Sequence, residues 1–239
     1  MDTVVNAARA GAMNDRMHDE GDAIGAAVAA ADIVREYGPF ADSDRVHGVT
    51  HDGNRVWAAT GENLIAFDPQ SGEQTATLRQ PCDAGTTFDG VYLYQIAESR
   101  IDKIDPETGE VVASIPAPGG GCDSGLAWAE GSLWVGQYRD RRICQVDPAT
   151  GSIIRTIESN RFVTGVTWVD GELWHGTWEG DASDIRRIDP QDGRVLERLE
   201  MPPGTGVSGL ESDGAELFYC GGGASGTVRA VRRPRRRRG

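Results

Sequence analysis

The stretch Ile104 to Val112, IDPETGEVV, recurs along the chain as FDPQSGEQT from Phe67, VDPATGSII from Val146 and IDPQDGRVL from Ile188. A second element keeps step with it: a Gly, an apolar run, a short turn, then an aliphatic–aromatic pair. Its copies are HGVTHDGNRVW from His47, AGTTFDGVYLY from Ala84, SGLAWAEGSLW from Ser124, TGVTWVDGELW from Thr164 and SGLESDGAELF from Ser208. The anchors Gly48, Gly85, Gly125, Gly165 and Gly209 are 37, 40, 40 and 44 residues apart. Periods near ~40 residues with several short strands per unit mark propeller blades. Five copies predict an all-β, five-bladed β-propeller.

Each repeat reads as four strands. Strand a follows the Gly, an Asp-Gly or Glu-Gly turn leads to strand b, and strand c ends at Asp-Pro. The Asp-Pro-x-x-Gly turn places Pro where φ is near about −65° and Gly where φ turns positive. It opens strand d. The aromatics of strand b (Trp57, Tyr94, Trp134, Trp174 and Phe218) are expected to fill the seams between blades. The fifth repeat lacks a strand d, and Asp32 to Tyr37 lines up with Ser152 to Ile157, so the N-terminal strand is expected to complete the last blade and close the ring. This divides the chain into an N-terminal extension (1–31), a propeller (32–231) and an Arg-rich tail (232–239). Ala-rich apolar spacing in the extension predicts one or two helices, which could cover the channel or mediate an oligomer.

Charge and composition narrow the function. The net charge is −13, and leaving out Arg232, Arg233 and Arg235 to Arg238 takes it to −19. Such a body repels nucleic acid, so the acidic ring is not expected to bind it. No apolar stretch approaches the roughly 20 residues a membrane span needs. The opening MDTVVNAARAGAMNDRMHDEGD has acidic residues early and no basic-then-apolar order, and the four cysteines lie in different repeats. A cytoplasmic location is therefore expected.

In propellers the d–a and b–c connections gather at one end of the channel, and ligands usually bind there. Just before each Gly anchor stand His47, Ala84, Ser124, Thr164 and Ser208, and one step earlier stand Val46, Asp83, Asp123, Val163 and Val207. The b–c side supplies Glu98, Gln137, Tyr138, His175 and Trp178, with WEGDASD read as the longest b–c loop. His47, Glu98 and His175 are candidate catalytic acid–base groups. Tyr138, Trp178, Gln137, Asp123 and Ser124 are candidate ligand-binding groups, the aromatics as walls. The paired CDAG (82–85) and CDSG (122–125) could hold a divalent metal, although small buried thiols and turn-bonding carboxylates are the favoured reading of them.

The segment VDGELWHGTWEGDASDIRRIDPQDGRV, with five repeats and N-terminal closure, resembles the glutamine cyclotransferase family of plant and bacterial type. That resemblance implies a five-bladed propeller cyclising N-terminal glutamine between aromatic walls. Trp178 matches the family's substrate-packing Trp. The position of the catalytic Glu holds Ala84, that of the basic residue falls in Cys220-Gly221-Gly222-Gly223, and that of the Asn-Glu pair is Thr164-Gly165. The resemblance thus implies the fold without faithful cyclase chemistry. The blade GLAWAEGSLWVGQYRDRRICQVDPATG also resembles those of streptogramin (virginiamycin B) lyases, whose rings usually have seven blades. Two functions stay open: a small-molecule-binding or -transforming ring with lyase or amide/acyl chemistry at the channel mouth, or a non-catalytic protein-interaction scaffold.

Overall fold

The computed structural model describes residues 25–40 and 43–235, and every regular element among them is a strand. No helix there is long and apolar enough to cross a membrane. Two short strands come first, β1 (Ala27–Ala30) and β2 (Ile33–Tyr37). Blade one follows as β3 (Gly48–His51), β4 (Val56–Ala59), β5 (Gly61–Phe67) and β6 (Gln74–Cys82). Blade two is β7 (Thr86–Phe88), β8 (Leu93–Ala97), β9 (Arg100–Ile104) and β10 (Val111–Pro116). Blade three is β11 (Asp123–Ala129), β12 (Ser132–Gln137), β13 (Arg142–Val146) and β14 (Ile153–Glu158). Blade four is β15 (Val163–Val169), β16 (Glu172–Glu179), β17 (Ala182–Ile188) and β18 (Val195–Glu200). Blade five takes β19 (Leu210–Ser212), β20 (Leu217–Gly221) and β21 (Val228–Arg232).

The five glycine anchors explain how the blades meet at the axis. A Cβ built on Gly85 would lie 2.4 Å from Leu126 N, one on Gly125 2.4 Å from Thr164 O, and one on Gly165 2.3 Å from Leu210 N. The same construction puts Gly48 2.5 Å from Ala84 O and Gly209 2.7 Å from Val49 N, which brings the circle round to blade one. Backbone touches backbone all the way round, and only a residue without a side chain fits. The Asp-Pro turns behave as the sequence predicts. Gly72, Gly109, Gly151 and Gly193 have φ between 74° and 81°, and each donates its N–H to the Asp carbonyl four residues back.

Aromatic seams complete the frame. Tyr94 stacks on Trp128 of the next blade at 5.5 Å, Trp134 on Trp168 at 5.0 Å, and Trp174 meets Phe218 at 5.0 Å. All five strand-b aromatics are buried. At the seam between blades five and one the work passes to β2, which pairs antiparallel with β21, Tyr37 opposite Val228. Arg35 donates to Pro69 O at 3.1 Å and Ser71 O at 3.0 Å, and Tyr37 Oη donates to Pro69 O at 2.8 Å. These bonds tie β2 to the first Asp-Pro turn.

Two expectations at the chain's ends change. The Ala-rich stretch read as helical is a strand where it is described, since Ala27–Ala30 pairs in parallel with Glu197–Glu200 of β18. An outer strand offers a row of open N–H and C=O groups, and pairing with it outweighs the weak helix preference of so short a segment. Residues 1–24 of the expected helical extension lie outside the described residues. At the other end Arg232 belongs to β21, and Arg233 is 8% exposed with Nη2 donating to Asp170 Oδ2 at 2.6 Å. The first arginines of the tail are thus part of the last blade.

Candidate functional site

The residues just before the glycine anchors converge at one end of the axis. His47, Asp83, Ala84, Asp123, Ser124, Thr164, Trp178 and Ser208 line a cavity of about 190 Å³. All five blades contribute to it. Larger hollows of about 470 Å³ and 310 Å³ lie on blade four's outer part and beside Arg232 to Arg235, each built by one or two blades.

Each wall is fixed by the strand geometry beneath it. Ser124 Oγ donates to Val163 O at 2.8 Å, and Ser208 Oγ donates to Val46 O, each reaching the next blade. Thr164 stands in the same ring position, 5% exposed, but its Oγ1 has no hydrogen-bond partner. Asp123 accepts Gln137 Nε2 on Oδ1 at 3.0 Å and Gly119 N on Oδ2 at 2.9 Å. Burial lifts its pKa above the usual carboxylate value, against the pull of those two bonds. His47 is half-buried, and burial depresses its pKa while nearby Asp83 opposes the shift. Its imidazole is therefore neutral at pH 7 and able to accept a proton.

Trp178 occupies a slot made by two glycines. A Cβ on Gly206 would come within 2.6 Å of the indole, and one on Gly223 within 2.3 Å. The indole N–H donates to Gly180 O at 3.1 Å, leaving the ring as an apolar wall. Tyr138 Oη donates to Trp178 O at 2.9 Å, and the Tyr138 ring stacks on Phe162 at 4.6 Å.

Of the sequence candidates, His47, Asp123, Ser124 and Trp178 come together in this cavity, and Gln137, Tyr138, Glu98 and His175 do not line it. Gln137 is fully buried and acts on Asp123, and Tyr138 braces Trp178 from behind. Glu98 sits at the β8–β9 turn with φ of 55°, and its exposed carboxylate faces Arg100 at 3.9 Å. Its backbone N–H donates to Asp83 Oδ1 at 3.2 Å, so it reaches the mouth lining through the main chain only.

His175 is the larger correction in placement: it is fully buried in the middle of β16, not at the rim. Its pKa is pushed down to about 4 by burial first and by Arg186 second. The reason is strand length. β16 runs to Glu179 and β17 resumes at Ala182, so the segment read as a long loop is an extended hairpin and the exit lies four residues beyond His175.

The paired cysteines also part company. Cys82 is buried in the blade-one core with its thiol raised to about 11 by burial, whereas Cys122 is exposed. Among the described residues no three His, Cys, Asp or Glu side chains assemble as a metal-ligand group.

A carboxyl that the sequence reading passed over lies below the glycine ring. Glu211 stands two residues after Gly209, where the other blades have Thr50, Thr87, Ala127 and Thr167. It is half-buried, with its carboxyl oxygens taken up by neighbouring strands. Thr50 Oγ1 donates to Oε2 at 3.1 Å; Thr167 Oγ1 and Ser212 N donate to Oε1 at 2.5 and 2.9 Å. Burial raises its pKa to about 7 against those three bonds.

The chain is similar in structure to a glutaminyl cyclase from Myxococcus xanthus, with a TM-score of 0.71 and 15% sequence identity over 87% of this chain and 97% of that one. The two share a fold. Virginiamycin B lyase from Staphylococcus aureus is a more distant likeness, with a TM-score of 0.48 and 18% identity over 78% of this chain and 66% of that one. No family model matches the chain, and no curated protein does.

Proposed function

We propose that this protein is a ring that binds or transforms a small molecule at its channel mouth, glutamine-cyclotransferase-like in fold but with different chemistry. One observation carries the reading: all five blades feed a single cavity that holds a neutral imidazole, two carboxylates and an aromatic wall. His47 is the candidate general base, Asp83 the group that tunes it, and Trp178 the surface against which an apolar ligand body packs. Amide cyclisation with loss of ammonia needs a proton shuttle and a donor to developing charge, and Ala84 and Gly222 supply neither. Lyase or acyl chemistry run by His47 fits the residues present. The register of β2 on β21 supports a ring closed by the chain's own beginning, which holds the blade-five wall in place. The four free cysteines suit a reducing compartment such as the cytoplasm.

The test is a thermal-shift screen with small metabolites, since a ligand that binds only the folded state raises the melting temperature. Hits are expected to lose their shift in Trp178→Ala and their turnover in His47→Ala, with both variants folded. Hits whose shift and turnover survive both substitutions would refute the mouth as the site.

A further inference from the structure

We infer that the ligand of the mouth cavity is an organic cation, an ammonium or amidinium group seated by Asp83 and Asp123 with its body against Trp178. The inference rests on the reading of the mouth as the ligand site and deepens it by naming the charge of the ligand.

Four features of the lining point the same way. First, it contains two carboxylates and neither Lys nor Arg. His47 is neutral near pH 7, so no full positive charge opposes them. Second, three of the rim's polar hydrogens are already spent. Ser124 and Ser208 donate to the carbonyls of Val163 and Val46, and the indole N–H of Trp178 donates to Gly180 O. What these groups turn to the cavity is lone pairs and a π-face, which suit N–H donors and positive charge. An anion would meet two carboxylates with few donors to balance them.

Third, Thr164 Oγ1 is a buried hydroxyl in the lining with no protein partner. A buried hydroxyl without a bond is costly, and a ligand N–H would satisfy it. Fourth, Asp123 keeps lone pairs beyond its bonds from Gln137 and Gly119, so it can accept from a ligand without giving up its support. The chain as a whole is acidic, with a net charge of −13, and attracts a cation from a distance.

The experiment uses the full chain and three probes of matched shape: phenethylamine, 2-phenylethanol and 3-phenylpropionate, followed by calorimetry and by the indole N–H signal of Trp178. The amine is expected to bind about tenfold or more tightly than the alcohol, with the carboxylate weakest. Asp83→Asn and Asp123→Asn are each expected to weaken the amine by about tenfold and to leave the alcohol unchanged. Amine affinity should also fall on acidification, as Asp123 takes up a proton above the usual carboxylate range and His47 gains a positive charge, which acts in the same direction. If the alcohol or carboxylate perturbs Trp178 as strongly as the amine, the cation inference falls and the mouth-site reading stands. If the amine binds equally well to Trp178→Ala, or if no probe perturbs Trp178, both fall.

Discussion

Substituting Glu211 with Gln tests the electrostatics of the channel. In the fold this carboxyl sits at about 7 against an ordinary value of 4.5, with burial as the main cause. A raised carboxyl favours the protonated fold. Its contribution is fully present below about pH 4.5 and is lost as pH rises through about 7. By linkage, the native state should lose about 2 kcal/mol between pH 5 and pH 8 through this one group, after allowing for water in the channel. Gln keeps the shape and cannot ionise. The assay is urea unfolding of wild type and Glu211→Gln at both pH values. The depressed histidines (His47, His51 and His175) titrate in an overlapping range with opposite sign. They are common to both proteins, so the difference between them isolates Glu211. The variant should gain about 2 kcal/mol on wild type between pH 5 and pH 8. A wild type–variant gap that does not change with pH would refute the reasoning.

Other substitutions address the frame. Gly165→Ala puts a methyl 2.3 Å from the backbone of blade five; it should cost about 3 kcal/mol or more in urea unfolding, or prevent folding. Tyr37→Phe removes the bond from β2 to Pro69 O and should cost about 1 kcal/mol, whereas deleting residues 30–38 should abolish cooperative unfolding. Arg233→Ala loses its bond to Asp170 and its packing over Phe218, with an expected loss of about 1–2 kcal/mol seen as a lower melting temperature.

Features dictated by the local backbone were open to sequence reading. The Asp-Pro-x-x-Gly turn needs a positive φ at Gly, and the axis needs a residue without Cβ, so both mark themselves in every repeat. Counting back from each anchor likewise put His47, Asp123 and Ser124 at the mouth, and the strand-b exit put Trp178 there. Features set by distant partners were hidden. Ala27–Ala30 reads as helical by composition and is claimed by the edge of β18. His175 looked like a strand exit because nothing local reveals that β16 continues to Glu179. The glycines that cradle Trp178 come from two other loops. Glu211 carried a usable signal, a charged residue in a ring position otherwise held by Thr or Ala, but its partners Thr50 and Thr167 lie 161 and 44 residues away.

The most direct measurement is a nitrogen–proton spectrum of protein labelled at its six tryptophans, titrated with a hit from the metabolite screen. The account predicts that the Trp178 indole signal moves with saturation while Trp57, Trp128, Trp134, Trp168 and Trp174, locked in the blade seams, stay in place. A saturable shift at any seam tryptophan with Trp178 unmoved would place the ligand elsewhere and contradict the account.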